Sequence, residues 1–264
     1  MTGATKCWIG ELLSFERDGD VFVVRDPAGG RGERLFGGMI AAQALGAAGA
    51  TVEPDKLPQS LHAYFVRGGK FGVPLHFEVE RTRDGRSFDT RRVTAVQEGK
   101  AILEMIASFH RPEAGADWHP PAPAPIDLDT AQLWDSRLAI AEHLEIRTAP
   151  SDPSAFAVPP YWVRFRDVIA DDALHRACAL TFVSDLGPVP AARPPGTLLR
   201  PGAGYAASLD HSVWFHRPFH PASWHRYEVN PVNNNDNRGL VVGSMYSQDG
   251  ALVASMTQEA LWRV

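Results

Sequence analysis

Residues 208–219 read Ser208-Leu209-Asp210-His211-Ser212-Val213-Trp214-Phe215-His216-Arg217-Pro218-Phe219. This run of aromatic and β-branched residues, closed by a proline, predicts one long strand. An earlier stretch, Ser60-Leu61-His62-Ala63-Tyr64-Phe65-Val66-Arg67, echoes it. Tyr64-Phe65-Val66-Arg67 falls on Trp214-Phe215-His216-Arg217 at a shift of 150 residues, and the same shift carries Phe77-Glu78-Val79 onto Tyr227-Glu228-Val229. A shift of 151 carries Gln97-Glu98-Gly99 onto Gln248-Asp249-Gly250. Matches at nearly constant spacing identify one fold written twice in tandem.

The 264 residues then divide into two units of about 110 residues, each long enough to bury a core of its own. A first repeat over 1–110 and a second over 161–264 are expected, with 111–160 between them as a proline-rich linker carrying one helix. In the first repeat, Leu35-Phe36-Gly37-Gly38 leads into Met39-Ile40-Ala41-Ala42-Gln43-Ala44-Leu45-Gly46-Ala47-Ala48-Gly49. That segment is apolar nearly all round, so it predicts a helix buried on every side. Gly46 costs helix stability and makes sense where another backbone comes close. Strands are expected at Val21–Arg25, Ser60–Arg67, Pro74–Arg83, Ser87–Gln97 and Ala101–His110, with tight turns at Asp84-Gly85 and Glu98-Gly99. One buried helix followed by a long antiparallel meander is the hot-dog arrangement, a sheet wrapped around a helix. The fold class expected is therefore α+β, a double hot-dog.

Within 111–160, Pro112, Pro120, Pro121, Pro123 and Pro125 favour extended backbone. Leu133, Trp134, Leu138, Ile140 and Leu144 give Asp129–Ile146 the spacing of an amphipathic helix. The second repeat follows in the order of the first: a strand at Tyr161–Arg166, a helix at Asp171–Val183 capped by Asp171 or Asp172, a loop over Pro188–Gly204, and strands at Ser208–Arg217, Trp224–Asn230, Gly239–Ser247 and Ala251–Arg263.

Composition and motif content remove several function classes. A net charge of −5 argues against nucleic-acid binding, which usually needs a basic stripe. No stretch approaches the ~18 apolar residues of a membrane span, and the N-terminus lacks the apolar core of a signal peptide. Two cysteines, Cys7 and Cys178, form no disulfide framework or metal spacing, so a reduced, cytoplasmic protein is expected. GxSxG, HExxH, P-loop and GxGxxG motifs are all absent. His211, His216, His220 and His225 are dense, but His211 and His216 lie five apart on a strand and point to opposite faces. No metal site is expected.

Leu35-Phe36-Gly37-Gly38, Arg83-Asp84-Gly85-Arg86-Ser87-Phe88, Leu209-Asp210-His211-Ser212-Val213-Trp214-Phe215-His216-Arg217-Pro218-Phe219 and Ala254-Ser255-Met256-Thr257-Gln258-Glu259 together resemble the TesB-type acyl-CoA thioesterase II family. The resemblance runs from about Leu35 to Arg263 and is weakest in the proline-rich segment. It implies a double hot-dog that hydrolyses acyl-CoA to a free acid and CoA without metal or organic cofactor. It also implies that an Asp, a Thr or Ser, and a Gln bind and activate one water. Matched residue by residue, these are Asp185 of the Ser184-Asp185 pair, Ser208 two before Asp210-His211-Ser212, and Gln258 before Glu259. Ser208 stands where Thr is usual, a loss of one methyl, and the loop from Asp185 to Ser208 is slightly short. Both differences bear on substrate selectivity more than on activity.

The chemistry of the residues agrees with that assignment. Thioester hydrolysis needs a water at the carbonyl, a base for its proton and donors for the oxyanion. Asp185 can serve as base, and Ser208 and Gln258 both donate and accept, so they can orient a water. The N–H groups of Gly37 and Gly38, opening the first helix, suit a developing negative charge. Gln258 has Ala107 as its counterpart in the first repeat, so nothing in the fold itself demands a Gln there. One working site per chain is expected, and Asp210 and His211 are read as structural or supporting residues. Two rival readings remain: a hot-dog enoyl-CoA hydratase, and a non-catalytic acyl-CoA or acyl-carrier-protein binding module. Long edge strands predict a homodimer or a higher even oligomer.

Overall fold

The computed structural model describes residues 8–27, 30–31, 34–124, 126–134, 142–149, 158–166, 170, 172–194, 196 and 205–263. In chain order the elements are α1 (Trp8–Leu12), β1 (Glu16–Asp18), β2 (Val21–Val24), β3 (Gly30–Arg31), β4 (Arg34–Leu35), α2 (Gly37–Gly49), β5 (Leu57–Phe65), β6 (Leu75–Asp84), β7 (Phe88–Gln97) and β8 (Lys100–His110). Then come β9 (Gln132–Leu133), β10 (Leu144–Thr148), β11 (Tyr161–Phe165), α3 (Ala173–Ser184), α4 (Pro188–Ala191), β12 (Tyr205–Ser208), β13 (Asp210–Phe215), β14 (His225–Asn235), β15 (Arg238–Ser247) and β16 (Leu252–Arg263).

Apart from the short β3–β4 pair, the strands form one antiparallel sheet in the order β1-β2-β6-β7-β8-β5-β13-β16-β15-β14-β11-β10-β9, with β12 also on β16. Its two halves are the two repeats, each curled around a helix, and they join edge to edge through β5 and β13. The join is nearly two-fold symmetric. Asp210 lies opposite Tyr64 and Trp214 opposite Ser60, so the local axis passes between Ser212 and His62. Those two positions are the ones the 150-residue shift superposes, and their side chains meet, His62 Nδ1 to Ser212 Oγ at 3.0 Å.

The helix α2 is buried from Gly38 to Ala48, as its lack of any charged residue requires. It packs on β5 to β8 and lies alongside α3. Contacts at both ends show the two helices to be antiparallel. A Cβ on Gly38 would stand 2.7 Å from the Phe182 carbonyl oxygen, and one on Gly49 would stand 2.3 Å from Leu174 Cδ1. The expectation at Gly46 needs correction. What presses on it is the Leu13 side chain, 2.7 Å from a would-be Cβ, and not a second backbone.

Two further expectations change. The described ends of Asp129–Ile146 are not part of the amphipathic helix its spacing predicts. Gln132–Leu133 and Leu144–Thr148 are strands, and 135–141 lie outside the described residues. Leu144 and Ile146 also satisfy a period of two, and pairing settles the choice. Glu145 sits opposite Arg164 on β11 and is bonded to both Arg164 and Arg147. Tertiary context of this kind overrides helical spacing.

The strand expected over Ser208–Arg217 is broken at its start. Ser208 lies opposite Ala260 and Ser212 opposite Thr257, so four steps on one strand match three on the other. The extra residue is a bulge at Leu209-Asp210. Leu209 N donates to the Glu259 carbonyl, and Glu259 N donates to Asp210 Oδ1 at 2.8 Å. The first repeat carries the same bulge, between Pro58 and Ser60. In an unbroken strand Ser208 and His211 would face opposite sides; the bulge turns both inward.

Candidate active site

Three elements from both repeats converge at one place. The helix α3 ends at Ser184, and Asp185 is its C-cap. The N-terminus of α2, at Gly37-Gly38, points at the same carboxyl. A Cβ on Gly37 would lie 2.9 Å from Asp185 Oδ2, and one on Gly38 would lie 2.9 Å from Asp185 Cβ. Only glycine permits that approach. The third element is the β12–β16 pair, which carries Ser208 and Gln258.

These side chains form one hydrogen-bonded cluster. Gln258 Nε2 donates to Asp185 Oδ1 at 2.9 Å and to Ser208 Oγ at 2.8 Å. Ser208 Oγ stands 3.4 Å from Asp185 Oδ1, directed at it. Asp185 is 6 % exposed and Gln258 is fully buried. Burial therefore pushes the Asp185 carboxyl up from 3.8 to about 6, while the bonds from Gln258, the Gly38 N–H and Ser208 hold it down. A carboxylate kept close to neutrality in this way is suited to take and return a proton. The α2 N-terminus adds positive potential to the same point.

Tyr161 and Tyr227 complete the surroundings, a feature the sequence did not flag. Both phenols are buried and pushed up, with Asp185 contributing in each case, so they stay neutral. Tyr227 OH donates to the Ser184 carbonyl at 2.6 Å, next to Asp185. Asp210 and His211 stand just behind the cluster. Asp210 takes the Glu259 N–H described above, and His211 Nε2 lies 2.8 Å from Ser184 Oγ. Among the described residues no group of three or more His, Cys, Asp or Glu side chains is arranged to hold a metal ion.

The pseudo-symmetric location has no comparable set. Ala50 is the C-cap of α2 where Asp185 caps α3. Pro58 sits at the bulge position of Ser208, opposite Phe109 as Ser208 is opposite Ala260. Ala107, opposite Leu61, stands for Gln258. Near the C-terminal end of α2, Arg91 Nε bonds Thr51 Oγ1 at 2.8 Å and its Nη2 bonds the Thr51 carbonyl at 3.0 Å.

The contacts at Gly38 give a direct test of this packing. Gly38→Ala puts a methyl against the Phe182 carbonyl and the Phe36 ring, each 2.7 Å away. We expect a loss of about 1–3 kcal/mol, the usual penalty for overpacking, and a fall in kcat as α2 is pushed off Asp185. Thermal melting and steady-state kinetics check both. An unchanged melting temperature would mean the helices are not this close.

Comparison with known proteins agrees with this architecture. Residues 24–110 match the family model described as the acyl-CoA thioesterase N-terminal domain, and residues 112–262 match the one for the acyl-CoA thioesterase C-terminal domain. The chain is 36 % identical to human acyl-coenzyme A thioesterase 8, over 88 % of this chain and 81 % of that one. It is 32 % identical to acyl-CoA thioesterase 2 of Haemophilus influenzae, over 96 % of both. Among solved structures, the acyl-CoA thioesterase II TesB2 of Mycobacterium marinum superposes with a TM-score of 0.81 at 34 % identity, covering 97 % of each chain.

Proposed function

The chain belongs to the TesB-type acyl-CoA thioesterase II family and hydrolyses acyl-CoA to a free acid and CoA, and from that premise we propose that Asp185, Ser208 and Gln258 carry the reaction at a single site in each chain. The observation that supports this most is the Gln258 amide, which bonds both Asp185 and Ser208 in a buried setting.

In this reading a water lies against the Asp185–Ser208 side of the cluster and against the thioester carbonyl. Asp185 accepts one of its protons as the water oxygen bonds to the carbonyl carbon. Gln258 fixes Asp185 and Ser208 through its two N–H bonds, and Ser208 with Asp185 holds the water so that its lone pair faces that carbon. We assign the negative charge formed on the carbonyl oxygen to the α2 N-terminus and its Gly37 and Gly38 N–H groups, of which the Gly38 N–H also serves Asp185. Collapse of the tetrahedral intermediate breaks the C–S bond. The departing thiolate recovers the proton from Asp185, which leaves the carboxylate as it began.

The experiment is the pH dependence of kcat/KM with a medium-chain acyl-CoA in the presence of EDTA. The base works only when ionised. The rate should therefore be flat above about pH 7 and fall roughly tenfold per unit below the Asp185 value of about 6. An acid limb that begins near pH 4 would mean the essential carboxyl is not this buried one. The hydratase alternative finds no support in the site, because Asp210 is spent on the Glu259 N–H and His211 lies behind Gln258.

We also infer that the protein works in the cytoplasm as a homodimer or higher even oligomer. Among the described residues the long edge strands expected are not found, since β1 and β9 at the ends of the sheet have 3 and 2 residues. What favours association is the outer face of the sheet, where Tyr64, Ile106 and Val242 stand exposed. Light scattering at micromolar concentration should report at least a dimer, and a monomer would defeat the inference.

A further inference from the structure

We propose that His211 is a positioning residue, held as the Nδ1–H tautomer and donating to Gln258 Oε1, so that the Gln258 amide can present only its NH₂ group to Asp185 and Ser208. The proposal rests on the reading of Asp185 and Gln258 given above, and it starts from two atoms. His211 Nδ1 and Gln258 Oε1 are both buried, and neither has a hydrogen-bond partner of normal geometry. A buried polar group in that condition costs about 1–3 kcal/mol, so two together call for an explanation.

They belong to neighbouring side chains. Ser212 on β13 lies opposite Thr257 on β16, so the next pair along is His211 and Gln258. Both are fully buried, hence on the same inner face, where opposite side chains are about 4.5–5.5 Å apart at Cβ. The bulge at Leu209-Asp210 puts His211 there together with Ser208.

Proton counting then fixes the arrangement. Gln258 Nε2 has two hydrogens and two acceptors, Asp185 Oδ1 and Ser208 Oγ. The flipped amide would set a carbonyl oxygen against the carboxylate, so Oε1 must turn the other way. There it needs a donor. On the far side of the ring, His211 Nε2 lies 2.8 Å from Ser184 Oγ, and that hydroxyl is also 2.9 Å from the Thr181 carbonyl. If Nε2 carried the ring proton, Nδ1 would present a lone pair to Gln258 Oε1 and both atoms would stay unsatisfied. If Nδ1 carries it, Ser184 donates to Nε2, sharing its hydrogen with Thr181, and Nδ1–H meets Oε1. A doubly protonated ring is ruled out at working pH, because burial brings His211 down to about 4 even though Gln258 favours its charged form. The titratable neighbours of Asp185, Tyr161 and Tyr227, are neutral and do not compete for this role.

The chain of bonds runs Ser184–His211–Gln258–Asp185, and its two ends are adjacent residues of one helix terminus. Breaking it should free the Gln258 amide to rotate, weaken water placement and let Asp185 rise further.

Two substitutions separate this role from simple packing. In His211→Asn the side-chain NH₂ stands where Nδ1–H stood; in His211→Gln a donor reaches instead toward the place of Nε2 and Ser184. We expect His211→Asn to keep kcat within about fivefold of the parent. His211→Gln should lose about 10–100-fold, the range typical of groups that orient a residue of a site, and its acid limb should move to higher pH with KM little changed. The reverse order, with Gln active and Asn impaired, would overturn the proposal, and so would equal effects with an unmoved acid limb. A second measurement does not depend on either variant being active. Imidazole ¹⁵N shifts of the whole chain, with His211 assigned from its absence in a variant, should show a neutral ring protonated at Nδ1. Protonation at Nε2 would sink the proposal while leaving Asp185 and Gln258 in their roles. Failure of those roles would instead appear in Asp185 and Gln258 variants, with the tautomer unaffected.

Discussion

Replacing Asp185 with Asn is expected to lower kcat by about 10²–10⁴-fold, the usual contribution of a positioned general base, while the chain stays folded. Asn retains the shape of the side chain and an oxygen for the Gln258 amide at 2.9 Å, but it cannot take a proton from water. KM should change little, because the residue touches the reacting centre and not the body of CoA. Folding is checked through stability. The Asp185 carboxyl titrates at about 6 in the folded chain and at its ordinary 3.8 when exposed. The folded state thus holds the proton more tightly. The stability gained from that preference is fully present below about pH 4 and is lost as pH rises through about 6, a difference of order 3 kcal/mol. The parent should therefore lose that much between these limits relative to Asp185→Asn, which has no such group. If the variant is folded and its kcat stays within about threefold of the parent, Asp185 is not the base.

Gln258→Ala should cost about 10²-fold in kcat, comparable to removing one donor from a preorganised site. Its amide bonds Asp185 and Ser208 together, and it is the first of the groups that hold the Asp185 carboxyl down. The variant should lose more at pH 6 than at pH 8, because Asp185 rises when the amide is gone. The chain should still fold, at a cost of about 1–3 kcal/mol from the His211 Nδ1–H left without its acceptor. The first repeat already carries Ala107 at the equivalent place on β8, with the same bulge opposite, so the strand tolerates the small side chain. A loss that is the same at every pH would mean Gln258 acts on the substrate and not on Asp185.

Much of this was legible in the sequence, and the reasons are physical. The apolar stretch after Gly38 has no polar face, so burial of α2 followed directly from composition. The duplicated Tyr64–Arg67 and Trp214–Arg217 segments lie at the ends of β5 and β13, the strands that join the halves. Asp185, Ser208 and Gln258 are far apart in the chain, and it was the family resemblance, matched motif by motif, that brought them together as candidates.

What escaped depended on pairing. Alternation along an unbroken strand would have set Ser208 and His211 on opposite faces. The bulge that reverses this is built from a backbone bond to Glu259 and an Asp210 side chain, which no periodicity reveals. Leu144 and Ile146 fit a helix or a strand equally well until Glu145 meets Arg164. Tyr161 and Tyr227 read as ordinary strand aromatics, and only the fold brings their phenols to Asp185.

The most direct test asks where the oxygen of the product comes from. In a single turnover with enzyme in excess, acyl-CoA is hydrolysed in ¹⁸O water, and the free acid and the peptide containing Asp185 are analysed by mass spectrometry. If Asp185 activates water, the first turnover places ¹⁸O in the acid and Asp185 remains unlabelled. An unlabelled acid together with ¹⁸O in the Asp185 carboxyl would mean that Asp185 attacks the thioester itself, and would contradict the account.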